Sequence, residues 1–105
     1  MPSVEQAGNI TADGTEQTLA TVASNRSLLL IVDPTNMETG DRIVIRAKRK
    51  VLTSSSLKEY QRREISGAQS GLVVMDPITS PYSAVFTLEQ TGGTFVDYEY
   101  SVESL

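Results

Sequence analysis

Two groups of charged side chains carry the most evident chemistry in this chain. Eight of its nine basic residues, Arg42, Arg46, Lys48, Arg49, Lys50, Lys58, Arg62 and Arg63, fall in one window that holds a single acid, Glu59. The rest of the chain holds twelve acids and one base, so a chain of net charge −4 encloses a strongly basic segment in an acidic body. Three of those acids, Asp97, Glu99 and Glu103, recur at the even spacing of one strand face. A concentrated basic surface attracts phosphate or an acidic protein surface. Two carboxylates across a cleft can hydrolyse a glycosidic bond.

Other side chains define what the chain is not expected to do. It has neither histidine nor cysteine. Thr53, Ser54, Ser55 and Ser56 supply hydroxyls, but a Ser-His-Asp arrangement is impossible without histidine, and thiol chemistry is excluded. Asp33, Asn36, Glu38 and Asp41 offer oxygen ligands for calcium, yet Met37 stands at the fifth position of that run, where a ligand belongs. Asp97, Glu99 and Glu103 lie on one exposed strand face with no sign of a cleft, which favours a solvated face over a glycosidase pair. Gly92-Gly93 is read as a turn, since no helix follows to receive phosphate. Tyr82, Phe86, Tyr98 and Tyr100 are read as core aromatics. The expectation is a non-enzymatic protein with no metal or cofactor.

The elements that must hold these residues read as strands. At 105 residues the chain makes one domain. Residues 1 to 16 are polar and are expected to form an arm or a short edge strand near Asn9-Ile10-Thr11, followed by a turn at Asp13-Gly14. Residues 17 to 105 are expected to form the folded domain. Thr18 to Ala23 alternates, Asn25-Arg26 is a tight connection, and Leu28 to Val32 reads as a strand buried on both faces. Arg42 to Val51 alternates basic and apolar positions, as a half-buried strand does. Leu57 to Ile65 pairs with it as a hairpin, with Lys58, Tyr60, Arg62 and Glu64 on one face; strand is favoured over helix because its neighbours need sheet partners. Leu72 to Met75 is a short strand ended by Asp76-Pro77, and Pro77 and Pro81 bracket another turn. Tyr82 to Gln90 points Tyr82, Ala84, Phe86 and Leu88 one way. The last strand turns Val96, Tyr98, Tyr100 and Val102 inward and Asp97, Glu99, Ser101 and Glu103 outward. Seven or eight short antiparallel strands with regular turns predict an all-β sandwich of jelly-roll or Greek-key type.

On such a scaffold the basic segment becomes a stripe, and the last strand supplies an acidic stripe of matching period. The stripes can pair within the fold, where exposed cross-strand pairs contribute only about 0.2–1 kcal/mol each, or between identical subunits. Nucleic acid is the weaker reading, since the whole chain is acidic and Tyr60 is the one aromatic in the basic window. The contact residues expected on this basis are Arg46, Lys48, Lys50, Arg62 and Arg63, opposite Asp97, Glu99 and Glu103.

Five stretches carry a resemblance. They are the polar Gly8-Asn9-Ile10-Thr11-Ala12-Asp13-Gly14-Thr15, Asn36-Met37-Glu38-Thr39-Gly40-Asp41 after a buried strand, the basic Arg46-Ala47-Lys48-Arg49-Lys50-Val51-Leu52, Ser66-Gly67-Ala68-Gln69, and the closing Phe86-Thr87-Leu88-Glu89-Gln90-Thr91-Gly92-Gly93. From about Gly8 onward this layout resembles the small all-β accessory proteins encoded by tailed viruses, which include capsid decoration or cement proteins. The resemblance implies a structural virion protein that self-associates, around a three-fold or similar axis, and binds the major capsid or another virion protein. It maps no catalytic or ligand residue onto this chain. The alternative is a carbohydrate- or receptor-binding module, against which the absence of Trp counts. No signal peptide or membrane-spanning run is read, so synthesis in the host cytoplasm and residence in the virion are the expectation.

Overall fold

The computed structural model describes residues 3–22, 26–50, 52, 54, 56–75, 78–80 and 83–104. Tyr82, with the turns expected at 76–77 and 81, lies outside the described residues, as does part of the 51–56 connection. The regular elements among the described residues are nine strands: β1 (Ser3–Thr11), β2 (Glu16–Val22), β3 (Arg26–Asp33), β4 (Arg42–Arg49), β5 (Lys58–Ser66), β6 (Val73–Val74), β7 (Ile78–Ser80), β8 (Ala84–Gly92) and β9 (Asp97–Ser104). The segment 57–65, where helix competed with strand, forms strand β5.

Every ladder among the described residues is antiparallel, and one set of them is nested. β1 pairs with β9, β2 with β8, β4 with β5, and β3 with both β6 and β7. Two further ladders, β3 with β9 and β4 with β8, complete the sheets. Sheet A runs β1-β9-β3-β6, with β7 also on β3, and sheet B runs β2-β8-β4-β5. Residues 1 to 16 thus contain a nine-residue edge strand, β1, paired with β9 from Ser3 to Thr11.

The two sheets pack face to face, and the alternation of apolar residues decides what lies between them. Sheet B sends in Ile43, Ile45 and Ala47 from β4 and Ala84, Phe86 and Leu88 from β8; sheet A sends in Leu28, Leu30 and Val32 from β3 with Tyr98 and Val102 from β9. Side chains of the size of Leu, Ile or Phe contribute about 1.5–3 kcal/mol each when fully buried. A register shift between Thr18 and Ala20 lets the adjacent Leu19 and Ala20 both be buried. β3 departs from expectation. Leu28, Leu30 and Val32 are fully buried, but Leu29 and Ile31 are only partly so. They lie on the outer face of sheet A, which no third layer covers.

One end of the molecule is tied by a buried polar knot. Gln90 is 1% exposed. Its Nε2 donates to the carbonyls of Gly92 at 3.0 Å and Thr94 at 2.7 Å, and its Oε1 accepts from the Tyr98 hydroxyl at 2.9 Å and the Val96 N–H at 3.4 Å. Buried Asp41 accepts the N–H groups of Thr94 and Glu38, each at 2.9 Å. Gly93 has φ +83°, and a Cβ there would come within 2.6 Å of the Asp41 Cα, so the turn predicted at Gly92-Gly93 requires glycine at its second position. Burial, with a smaller contribution from Asp41, pushes the Tyr98 hydroxyl up to about 12.

Candidate functional site on the outer faces

The charged residues singled out in the sequence lie on the outward faces of the two sheets, and the faces differ. On β4 the inward turn of Ile43, Ile45 and Ala47 sends Val44, Arg46 and Lys48 outward. Glu89 lies in register with Val44 on one side, and Glu64, Arg62 and Glu59 lie in register with Val44, Arg46 and Lys48 on the other. Arg46 forms ion pairs with Glu89 at 3.0 Å, Glu59 at 3.3 Å and Glu16 at 3.4 Å; Lys48 reaches Glu16 at 3.0 Å, and Arg62 pairs with Glu64 at 3.1 Å. Val44 is only 2% exposed although it lies on this face, because the long charged side chains fold down over the sheet.

Electrostatics follow the geometry. The Thr87 hydroxyl, donating at 2.6 Å, and then Lys48 hold the Glu16 carboxyl below its usual range against a burial penalty. Partial burial weakens the Arg46 guanidinium as a charged group, but Glu89, Glu16 and Glu59 together outweigh it and raise its pKa. The outer face of sheet B is therefore a grid in which opposite charges satisfy one another. Its central acids are Glu16, Glu59 and Glu89, and none of them belongs to β9.

The expected stripe divides further. A register shift at Ala47/Lys48 leaves Tyr60 unpaired in the ladder, since Lys48 pairs with Glu59 and Ala47 with Gln61. The bulge reverses the alternation of β5, so Lys58 falls on the face of Arg49 and away from that of Arg62. Arg63 faces inward at the margin and donates to the Val74 carbonyl of sheet A at 3.1 Å, bridging the sheets. Lys50, Lys58 and Arg49 gather at the hairpin tip, where the Arg49 guanidinium lies 6.0 Å from the Tyr60 ring centre. Lys50 and Lys58 form no ion pair among the described residues.

The acidic stripe lies on the other side of the molecule. Asp97, Glu99 and Glu103 project from β9 in the middle of sheet A, and among the described residues they form no ion pair with the basic hairpin of sheet B. Asp97 accepts the Thr11 hydroxyl at 2.6 Å and Glu103 accepts that of Ser101 at 3.3 Å. Glu99 has no hydrogen-bond or ion-pair partner among the described residues. Around them the face is mixed: Asn9 and Asp33 flank Glu99 and Thr11 flanks Asp97, and apolar residues hold other positions. Leu29 lies opposite Glu103, Ile31 opposite Ser101 and Val74 opposite Ile31. Val4 is 63%, Leu72 62% and Val74 45% exposed. A shallow groove of about 210 Å³ runs between Ile31, Asp33, Leu72, Glu99, Tyr100 and Ser101.

The oxygen-rich loop is put to local use. Asp33 accepts the N–H and hydroxyl of Thr35, Asn36 donates to the Asp97 carbonyl, and Asp41 belongs to the buried knot. A cleft of about 400 Å³ opens between Gly40, Arg42, Gly67 and Gly92 and contains none of the predicted contact residues. Sequence reasoning passed over Gln90 and the exposed apolar groove. Gln90 was detectable, because it continues the inward register of Ala84, Phe86 and Leu88. The groove was not, because Leu72, Ile31 and Glu99 are brought together only by the pairing of β3 with β6 and β9. Comparison of the chain with protein-family models, with curated proteins and with solved structures finds no match.

Proposed function

We propose that this is a non-enzymatic structural protein of a virion, one that self-associates and binds a capsid lattice as a decoration or related accessory protein. The observation that carries the self-associating part is the outer face of sheet A, where Leu72, Val74 and Val4 stand largely exposed on a face whose acids Asp97, Glu99 and Glu103 form no ion pair among the described residues. Exposed apolar side chains clustered with a polar rim mark surfaces that meet other proteins. The charge grid on the opposite face sharpens the contrast, because there Arg46, Lys48 and Arg62 are already paired with acids of their own sheet.

The strand order supports the finer reading of the fold. β1-β9-β3-β6 over β2-β8-β4-β5 is the order that a long hairpin takes when it rolls up on itself with its pairs nested, which is the jelly-roll arrangement. That architecture is used by viral capsid proteins and by lectins. Architecture alone does not assign a role, so the virion reading rests on this analogy together with the exposed face.

Two measurements test the proposal. The native mass of the purified protein, followed by sedimentation over a range of concentrations at low and high salt, is expected to exceed that of the 11.4 kDa chain and to fall with salt. A monomer under every condition sinks the self-associating reading. In parallel, the protein is expected to co-sediment with capsid particles and occupy repeated surface positions by electron cryomicroscopy; free protein in the supernatant sinks the capsid reading.

A further inference from the structure

We infer that copies of this chain dock head to tail, the basic tip of the β4–β5 hairpin of one copy seating in the acidic, apolar groove on sheet A of the next. The inference rests on the self-associating reading above and names its surfaces. The tip is both cationic and apolar. Lys58 lies with Arg49 beside Tyr60, which is 54% exposed, and Lys50, Leu52 and Leu57, the last two 59% and 37% exposed, belong to the same end of the hairpin. A hollow of about 250 Å³ at the tip is lined by Arg49, Lys58, Glu59 and Tyr60. The groove is its complement in charge and its match in apolar character. Asp33 and Glu99 line it together with Ile31 and with Leu72, which is 62% exposed.

Topology requires that the contact be made between molecules. β4 ends at Arg49, in register with Ala84 and Lys58, at the end of the molecule where β2 hands over to β3. Asp33 pairs with Glu99 at the opposite end, where β3 stops and β9 begins. The molecule is 40 Å long, and the two patches also belong to different sheets. A tip therefore reaches a groove only on a second copy. Because the two patches differ, the contact is heterologous, and repeating it closes a ring or extends a chain. A second copy is the favoured occupant of the groove because the opposite charge it requires, on an apolar knob, is carried by the same polypeptide. Arg46 and Lys48, farther along the hairpin, are held by Glu16, Glu59 and Glu89 and do not compete.

The test is a charge swap read by sedimentation velocity. One variant carries Lys50→Glu with Lys58→Glu, the other Glu99→Lys with Glu103→Lys; all four side chains are partly or fully exposed. Each variant alone is expected to associate at least ten-fold more weakly than the unmodified chain, and an equimolar mixture is expected to recover association, since each then meets the reversed surface of the other. Association of either variant at unmodified strength, or a mixture that fails to recover, overturns the docking pair while leaving self-association standing. A monomeric unmodified chain overturns the self-associating reading itself. Should a charge-reversed variant fail to fold, the absence of cysteine in the chain allows a second route. Tyr60→Cys with Leu72→Cys is expected to give covalent multimers on mild oxidation, and a product that stays monomeric overturns the inference.

Discussion

The outer faces of sheet B and sheet A both carry acids, but among the described residues only sheet B pairs them with basic side chains. Glu16, Glu59, Glu64 and Glu89 stand among Arg46, Lys48 and Arg62. Asp33, Asp97, Glu99 and Glu103 stand among Leu29, Ile31 and Val74 and take hydroxyl or amide partners or none. The difference separates two uses of surface charge. Charges that satisfy one another on a sheet hold a face closed and contribute modestly to stability. Charges left unpaired around apolar side chains contribute little to the fold and remain available to a partner, where they govern encounter and specificity.

The severest way to break the comparison is to damage the scaffold that both faces share. Gln90→Leu leaves the Tyr98 hydroxyl and the carbonyls of Gly92 and Thr94 without their partner. A loss of about 2–4 kcal/mol is expected in denaturant unfolding, and association should fail with the fold. Next, Leu72→Ser removes an exposed side chain from the groove of sheet A. Association should weaken about ten-fold in sedimentation, equivalent to about 1.4 kcal/mol, with the melting temperature unchanged. Arg46→Met should do the reverse, lowering stability by about 1 kcal/mol by leaving Glu16, Glu59 and Glu89 facing one another while association stays at its original strength. If Leu72→Ser alters melting, or Arg46→Met alters association, the division between the two faces is wrong.

The smallest effects are those of pH. The carboxyl of Glu16 is held below its ordinary value in the fold. Its contribution is therefore fully present above about pH 4.5, the ordinary glutamate range, and is lost as pH falls through the lower folded value. Glu16→Gln should flatten that acid limb of a stability–pH curve. Tyr98 acts in the opposite direction. Its hydroxyl is raised to about 12 in the fold, so its contribution is intact below about pH 10 and is lost as pH rises toward the folded value. Tyr98→Phe should remove that alkaline loss, and an unchanged limb in either variant would show that another group titrates there.

Much of the fold was legible in the residues. The alternation of Ile43, Ile45 and Ala47 with basic positions placed β4 correctly, and Gly92-Gly93 marked the β8–β9 turn. The two-layer antiparallel arrangement followed from such alternations repeated at short intervals. What periodicity misses is pairing across the chain. Arg46 finds Glu16 and Glu89, 30 and 43 positions away, because β2 and β8 lie side by side in the same sheet. The matching period of β9 drew attention to Asp97, Glu99 and Glu103 instead, yet period says only which way a side chain points within its own sheet. Lys58 was assigned to the wrong face because a single extra residue, Tyr60, reverses the alternation, and nothing in the local sequence announces such a bulge.

The far margin of β3 has a consequence for how the molecule can meet its own kind. That margin is shared by two stubs, β6 of two residues and β7 of three, with the Met75 N–H closing on the Leu30 carbonyl at 3.0 Å. Among the described residues, strands so short offer no long row of backbone groups on which another strand could template. Sheet A therefore cannot grow indefinitely in both directions, and runaway fibre formation is blocked on that side by the way the chain is cut. Copies are left to recognise one another through shaped patches of side chains, so that the geometry of those patches and not strand pairing sets where growth stops.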